Sequence, residues 1–99
     1  MNSLDDFARL SGKLYIDGHW VASSSTEQFD VIEPATEDRL GRIADATDAE
    51  VDQAIDIANR ARKVWCKQDP RSRAVILHDI AAAIRRDKAL YAECMTREE

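Results

Sequence analysis

Apolar and polar positions change rhythm once along this chain, near Thr47. Before it, apolar residues come in short runs separated by turn residues: Leu14-Tyr15-Ile16, His19-Trp20-Val21, Phe29-Asp30-Val31-Ile32 and Leu40-Gly41-Arg42-Ile43-Ala44. Short runs rich in β-branched and aromatic residues, bounded by Gly, Pro, Asp and Ser, predict strands. Asp17-Gly18 joins the first two runs, and Asp-Gly tolerates the positive φ angles that a two-residue hairpin turn demands. A serine-rich loop, Ala22 to Thr26, follows. The third run ends at Pro34, which has no N–H to give to a sheet, so Pro34 to Asp38 reads as the turn of a second hairpin.

From Thr47 onward the spacing is helical. Thr47-Asp48-Ala49-Glu50 has the form of a capping box, in which a threonine hydroxyl and a glutamate carboxylate satisfy each other's free backbone N–H groups. Val51, Ala54, Ile55, Ala58, Ala61 and Trp65 then recur at intervals of three and four, forming one apolar stripe. Asp69-Pro70 predicts a second helix, with Asp69 as cap and Pro70 at the first helical position, where a missing N–H costs nothing. Leu77, Ile80, Ala81 and Ile84 are its stripe. Asp87 is placed to cap a third helix carrying Leu90, Tyr91, Cys94 and Met95. That helix is expected to be interrupted at Arg97-Glu98-Glu99, where no Gly or Asn ends it and two carboxylates meet the negative end of its dipole.

These elements predict an α+β chain of two β-hairpins followed by two or three helices. Residues 1–12 read as a lead-in arm, with one loose helical turn around Leu4, Phe7, Ala8 and Leu10. Ninety-nine residues suffice for one small domain, and the composition, 44% hydrophobic and 33% charged, is that of a chain that folds. A formal net charge of −5 argues against nucleic acid or an anionic membrane as partner. The dense basic stretches, Arg60-Ala61-Arg62-Lys63 and Arg85-Arg86, lie within helical patterns and read as solvated faces. No apolar run reaches the roughly 20 residues of a membrane span, and the acidic opening is unlike a targeting signal. A cytoplasmic location is the expectation.

Candidate chemistry is sparse. Cys66 and Cys94 stand far apart without metal-ligand spacing and read as small buried hydrophobes. His19 and His78 have no local partner for a triad or a metal site. The carboxylate pairs Asp5-Asp6, Glu37-Asp38, Asp45/Asp48 and Glu98-Glu99 border turns and helix ends, whereas a general acid needs a desolvated pocket. Tyr15, Trp20 and Trp65 read as packing residues rather than a stacking platform. The glycines Gly12, Gly18 and Gly41 are isolated, so neither a dinucleotide-binding fingerprint nor a P-loop is present. No catalytic, cofactor-binding or metal-binding residue is assigned.

The order of the segments says more than any one of them. Leu14-Tyr15-Ile16-Asp17-Gly18-His19-Trp20-Val21 is followed by Phe29-Asp30-Val31-Ile32-Glu33-Pro34-Ala35-Thr36 and by Leu40-Gly41-Arg42-Ile43-Ala44. The alanine-rich helix ending at Trp65, Arg73-Ala74-Val75-Ile76-Leu77 and Met95-Thr96-Arg97-Glu98 come next. From about Lys13 to Glu99 this series resembles the amino-terminal region of the NAD(P)-dependent aldehyde dehydrogenase superfamily. Two positions depart from the family's habit: Glu33 stands where Asn usually precedes Pro-Ala-Thr, and Glu37 where a turn Gly is common. Asn and Gly tolerate left-handed backbone angles better than Glu.

The resemblance implies that residues 13–99 are an incomplete amino-terminal part of an aldehyde dehydrogenase, the lead-in of its α/β cofactor-binding domain. An intact member would oxidise an aldehyde to a carboxylic acid. A cysteine thiolate attacks the aldehyde, hydride passes to NAD or NADP, and water activated by a glutamate releases the acid. Those residues lie beyond the matched stretches, and neither Cys66 nor Cys94 matches the nucleophile. The chain alone is therefore expected to bind no cofactor and to be inactive. A different reading makes it a non-catalytic interaction module that self-associates or docks on a dehydrogenase subunit through its helix stripes.

Overall fold

A computed structural model describes residues 9–99. The architecture is α+β: two antiparallel hairpins, then three helices. The expected loose turn at Leu4, Phe7 and Ala8 falls outside the described residues.

The first hairpin pairs β1 (Lys13–Ile16) with β2 (His19–Ala22). Asp17 and Gly18 take φ of 55° and 74°, the doubly positive geometry that Asp-Gly favours, so that Ile16 faces His19 across a two-residue turn. Tyr15 and Trp20 are direct cross-strand partners, and their rings meet edge to face with centroids 5.0 Å apart.

In the second hairpin, β3 (Gln28–Ile32) pairs with β4 (Arg39–Ala44). Val31 faces Gly41 while Ile32 faces Arg39, so Leu40 is an extra residue in β4 and bulges out of register. Directly opposed Asp30 and Arg42 form an exposed ion pair at 2.9 Å. The hairpins meet where the Ser11 hydroxyl and the Gly12 N–H both donate to the Arg42 carbonyl, at 2.9 and 3.4 Å.

Between β3 and β4 the Glu37 N–H donates to the Glu33 carbonyl at 2.8 Å, and the Glu33 N–H to the Asp38 carbonyl at 2.9 Å. Closing this turn forces Glu37 to φ 63°, the left-handed conformation that its replacement of a turn glycine had made an issue. A non-glycine residue there costs roughly 1–2 kcal/mol, of which the extra flexibility of an unfolded glycine would give back about 0.5–1. Glu37→Gly is therefore expected to stabilise the second hairpin by about 0.5–1 kcal/mol. Slower hydrogen exchange at the Glu33 and Glu37 amides would register it, and faster exchange would contradict it.

The helices are α1 (Asp48–Trp65), α2 (Pro70–Arg86) and α3 (Lys88–Glu98). Thr47 caps α1 with both halves of the capping box formed. Asp69 caps α2 by accepting from the Ser72 N–H at 2.9 Å, with Pro70 opening the helix. Asp87 stands at the start of α3 but does not cap it. Its backbone, at φ −100° and ψ 18°, lacks the extended geometry of an N-cap, and its carboxylate is turned to Arg86, which donates to both oxygens at 3.0 and 2.8 Å.

Packing among these elements is thin. Ala44, 5% exposed, is the one buried hydrophobic residue among those described, and no helix buries a residue. The Cα radius of gyration is 16.5 Å, against about 13 Å for a compact chain of this length. On α1 the half-covered positions are Glu50, Ala54 and Ile57, spaced four and three apart along one side. Of the apolar stripe read from the sequence only Ala54 is half-covered, and Val51 and Ile55 remain 46% and 54% exposed.

Candidate functional site

The most highly connected polar group described is the Glu50 carboxylate. The capping box places it over the first turn of α1, where one oxygen, Oε2, accepts from the Thr47 N–H at 3.0 Å. The same oxygen accepts from the Ser23 hydroxyl at 2.8 Å. Its partner, Oε1, accepts from the Ser24 N–H at 2.6 Å and the Ser24 hydroxyl at 3.0 Å. The serine loop is shaped for this, because the Ser25 N–H donates to the Ser23 oxygen and the Glu27 N–H to the Ser25 oxygen. Two successive side-chain turns thus fold the loop onto the helix end.

Donors that favour the charged form hold the Glu50 carboxyl down at about 2. The Ser24 backbone N–H contributes most, then the Thr47 N–H, with partial desolvation opposing and the serine hydroxyls adding to the depression. Because the folded-state value lies below the usual 4.5, the stabilisation is complete above that pH and is lost as pH falls toward 2.

The second feature is apolar. The exposed large hydrophobic residues include Val51, Ile55, Val64 and Trp65 on α1 and Val75, Leu77, Ile80 and Ile84 on α2. Ala58, Ala61, Arg62, Val64, Trp65 and Gln68 line an open hollow at the carboxyl-terminal end of α1. Trp65 is thus a wall of this hollow rather than part of a closed core.

The other residues weighed from the sequence are scattered. Cys66 is exposed just beyond α1, and Cys94 is partly covered on α3. Desolvation, followed by the Glu98 and Glu93 carboxylates, pushes the Cys94 thiol up, the opposite of what an activated nucleophile needs. His19 and His78 are exposed on β2 and α2. Of the described carboxylates weighed earlier, Glu37 and Asp38 serve the β3–β4 turn and Asp48 the first turn of α1. Among the described residues no group of three or more His, Cys, Asp and Glu side chains is placed to hold a metal ion. None of the helices described is long and apolar enough to cross a membrane.

Sequence reasoning saw Glu50 only as half of a cap. Its reach to Ser23 and Ser24 spans 27 and 26 residues, and nothing in the local spacing announces it. The density of hydroxyls in the loop was the available signal.

The model of the aldehyde dehydrogenase family matches residues 20–99. An NADP-dependent glyceraldehyde-3-phosphate dehydrogenase of Zea mays is 35% identical over 86 residues, covering 87% of this chain and 17% of its own length. A 3-sulfolactaldehyde dehydrogenase of Pseudomonas putida is 35% identical over all 99 residues, which make up 20% of that protein. A probable methylmalonate-semialdehyde/malonate-semialdehyde dehydrogenase of Caenorhabditis elegans is 34% identical over 87 residues, 88% of this chain and 17% of the relative. The chain thus spans between a sixth and a fifth of the length of these relatives.

Proposed function

The chain belongs to the aldehyde dehydrogenase family, and on that premise we propose that it is the leading structural portion of an oxidoreductase that converts an aldehyde to a carboxylic acid with NAD(P)+. Residues 13–99 serve as scaffold in this reading, preceded by a lead-in arm. The thiolate, the hydride acceptor's site and the glutamate base belong to parts of the enzyme that these residues do not contain. The observation that carries the reading is the exposure of apolar helix faces on a chain whose family match runs through all three helices. Surfaces of this kind serve to cover something.

The same faces favour a second reading, in which the chain is a non-catalytic module that associates with a dehydrogenase subunit. Both readings deny the chain a cofactor site of its own. Its three glycines are not clustered for a pyrophosphate, and desolvation, followed by the Glu98 and Glu93 carboxylates, disfavours the Cys94 thiolate. We place the protein in the cytoplasm on its acidic charge and on the lack of an apolar span among the described helices.

The direct test is to incubate the purified chain with NAD+ or NADP+ and a panel of short aldehydes, following the absorbance of the reduced nicotinamide. No reduction is expected. Reproducible turnover that stays with the chain through purification would overturn the assignment.

A further inference from the structure

The bonds around Glu50 do more than end a helix. Four donors converge on the two oxygens of one carboxylate: Ser23 and Thr47 on Oε2, and Ser24 twice on Oε1. Two of the residues that donate, Ser23 and Ser24, leave the β1–β2 hairpin, while Thr47 and Glu50 open α1. The two backbone donors, the Ser24 and Thr47 N–H groups, lie on different oxygens and can only donate, so each needs an acceptor, and an ionised carboxylate supplies two strong ones. A carboxamide in its place would point an NH2 group at one of those N–H groups, and an aspartate would fall one methylene short of the loop.

We propose that the Glu50 carboxylate is a conformational latch that clamps the exit loop of the β1–β2 hairpin to the first turn of α1, and whose loss frees the loop while the helix persists. The helix survives because its own half of the cap is separate. The Thr47 hydroxyl accepts from the Glu50 N–H at 3.2 Å, a bond that needs no Glu50 side chain. The Glu50 carboxylate thereby ties the first hairpin to α1, while the contacts of Ser11 and Gly12 with the Arg42 carbonyl tie that hairpin to the second one. This inference rests on the hydrogen-bond geometry alone and stands apart from the proposed enzymatic role.

Residue-resolved hydrogen exchange on the full 99-residue chain tests it. Glu50→Ala, which removes both oxygens and keeps the Glu50 N–H for the Thr47 hydroxyl, is expected to speed exchange at the Ser24 amide by about tenfold or more, the scale of losing a charge-assisted bond, with little change at α1 amides beyond the first turn. Thr47→Ala should do the reverse, loosening the first turn of α1 and leaving Ser24 protected. A Ser23→Ala/Ser24→Ala variant, which keeps the capping box whole, should release the loop by a smaller factor without disturbing the helix. Unchanged Ser24 exchange in Glu50→Ala overturns the latch. So does loss of protection along the whole of α1 in either Glu50→Ala or the serine variant, since hairpin and helix would then be one cooperative unit.

Discussion

Mixed with a hydrophobic dye, the purified chain will fluoresce strongly, and on heating it will lose structure over a broad range rather than in one sharp step. The accessible surface is 8029 Å², whereas a folded protein of 11.2 kDa exposes about 5,700 Å². Much of the excess is apolar: Leu77 is 60% exposed, Val64 65% and Met95 64%. Cooperative melting needs a core whose loss in one place weakens it everywhere. Here the hairpins and helices share little beyond Ala44, the Glu50 bonds and the contacts at Arg42. Circular dichroism and dye titration on material of known oligomeric state provide the test. A monodisperse monomer with a sharp melt and no dye binding would show that the apolar faces are covered after all.

The second large effect concerns what those faces cover. Supplied to an aldehyde dehydrogenase subunit lacking the segment equivalent to residues 20–99, the chain is expected to bind and co-purify. Single charge substitutions, Leu77→Asp or Ile80→Asp, should weaken that association by at least about a hundredfold, because each would bury an unpaired carboxylate at the contact. Neither should alter the helical content of the isolated chain, since Leu77 and Ile80 are 60% and 51% exposed there. Binding with undiminished affinity by both variants would remove the α2 face from the contact. Restored dehydrogenase activity would favour the structural-portion reading. Docking on a complete subunit would favour the interaction module.

What was legible in the sequence was local. Asp17-Gly18 announced its turn because few residue pairs accept two positive φ angles. Thr47 with Glu50, and Asp69 with Pro70, announced helix starts because each solves the problem of unpaired N–H groups within four residues. What stayed hidden depended on residues distant in the chain or competing nearby. The Leu40 bulge arises from how β3 and β4 must register, which neither strand states alone. Ile57 lies off the stripe that spacing suggested, yet it is half-covered, in line with Glu50 and Ala54 along one side of α1. Asp87 had the composition of a cap and the position of one, but its backbone is not extended there and its carboxylate is turned to Arg86 beside it. The family likeness was legible through segment order, whereas the chemistry of an aldehyde dehydrogenase was not to be read from these residues.

The separateness of these elements also has a bearing on biosynthesis. Hairpins close in about 1–10 μs and helices in about a microsecond or less, while a ribosome adds roughly 5–20 residues each second. Each element can thus form soon after it clears the exit tunnel. The latch itself can engage once Glu50 emerges, 27 residues after Ser23. As the rest of α1, then α2 and α3 follow, the nascent chain presents amphipathic helices with their apolar sides uncovered. Such helices are natural clients for a chaperone until a covering surface arrives.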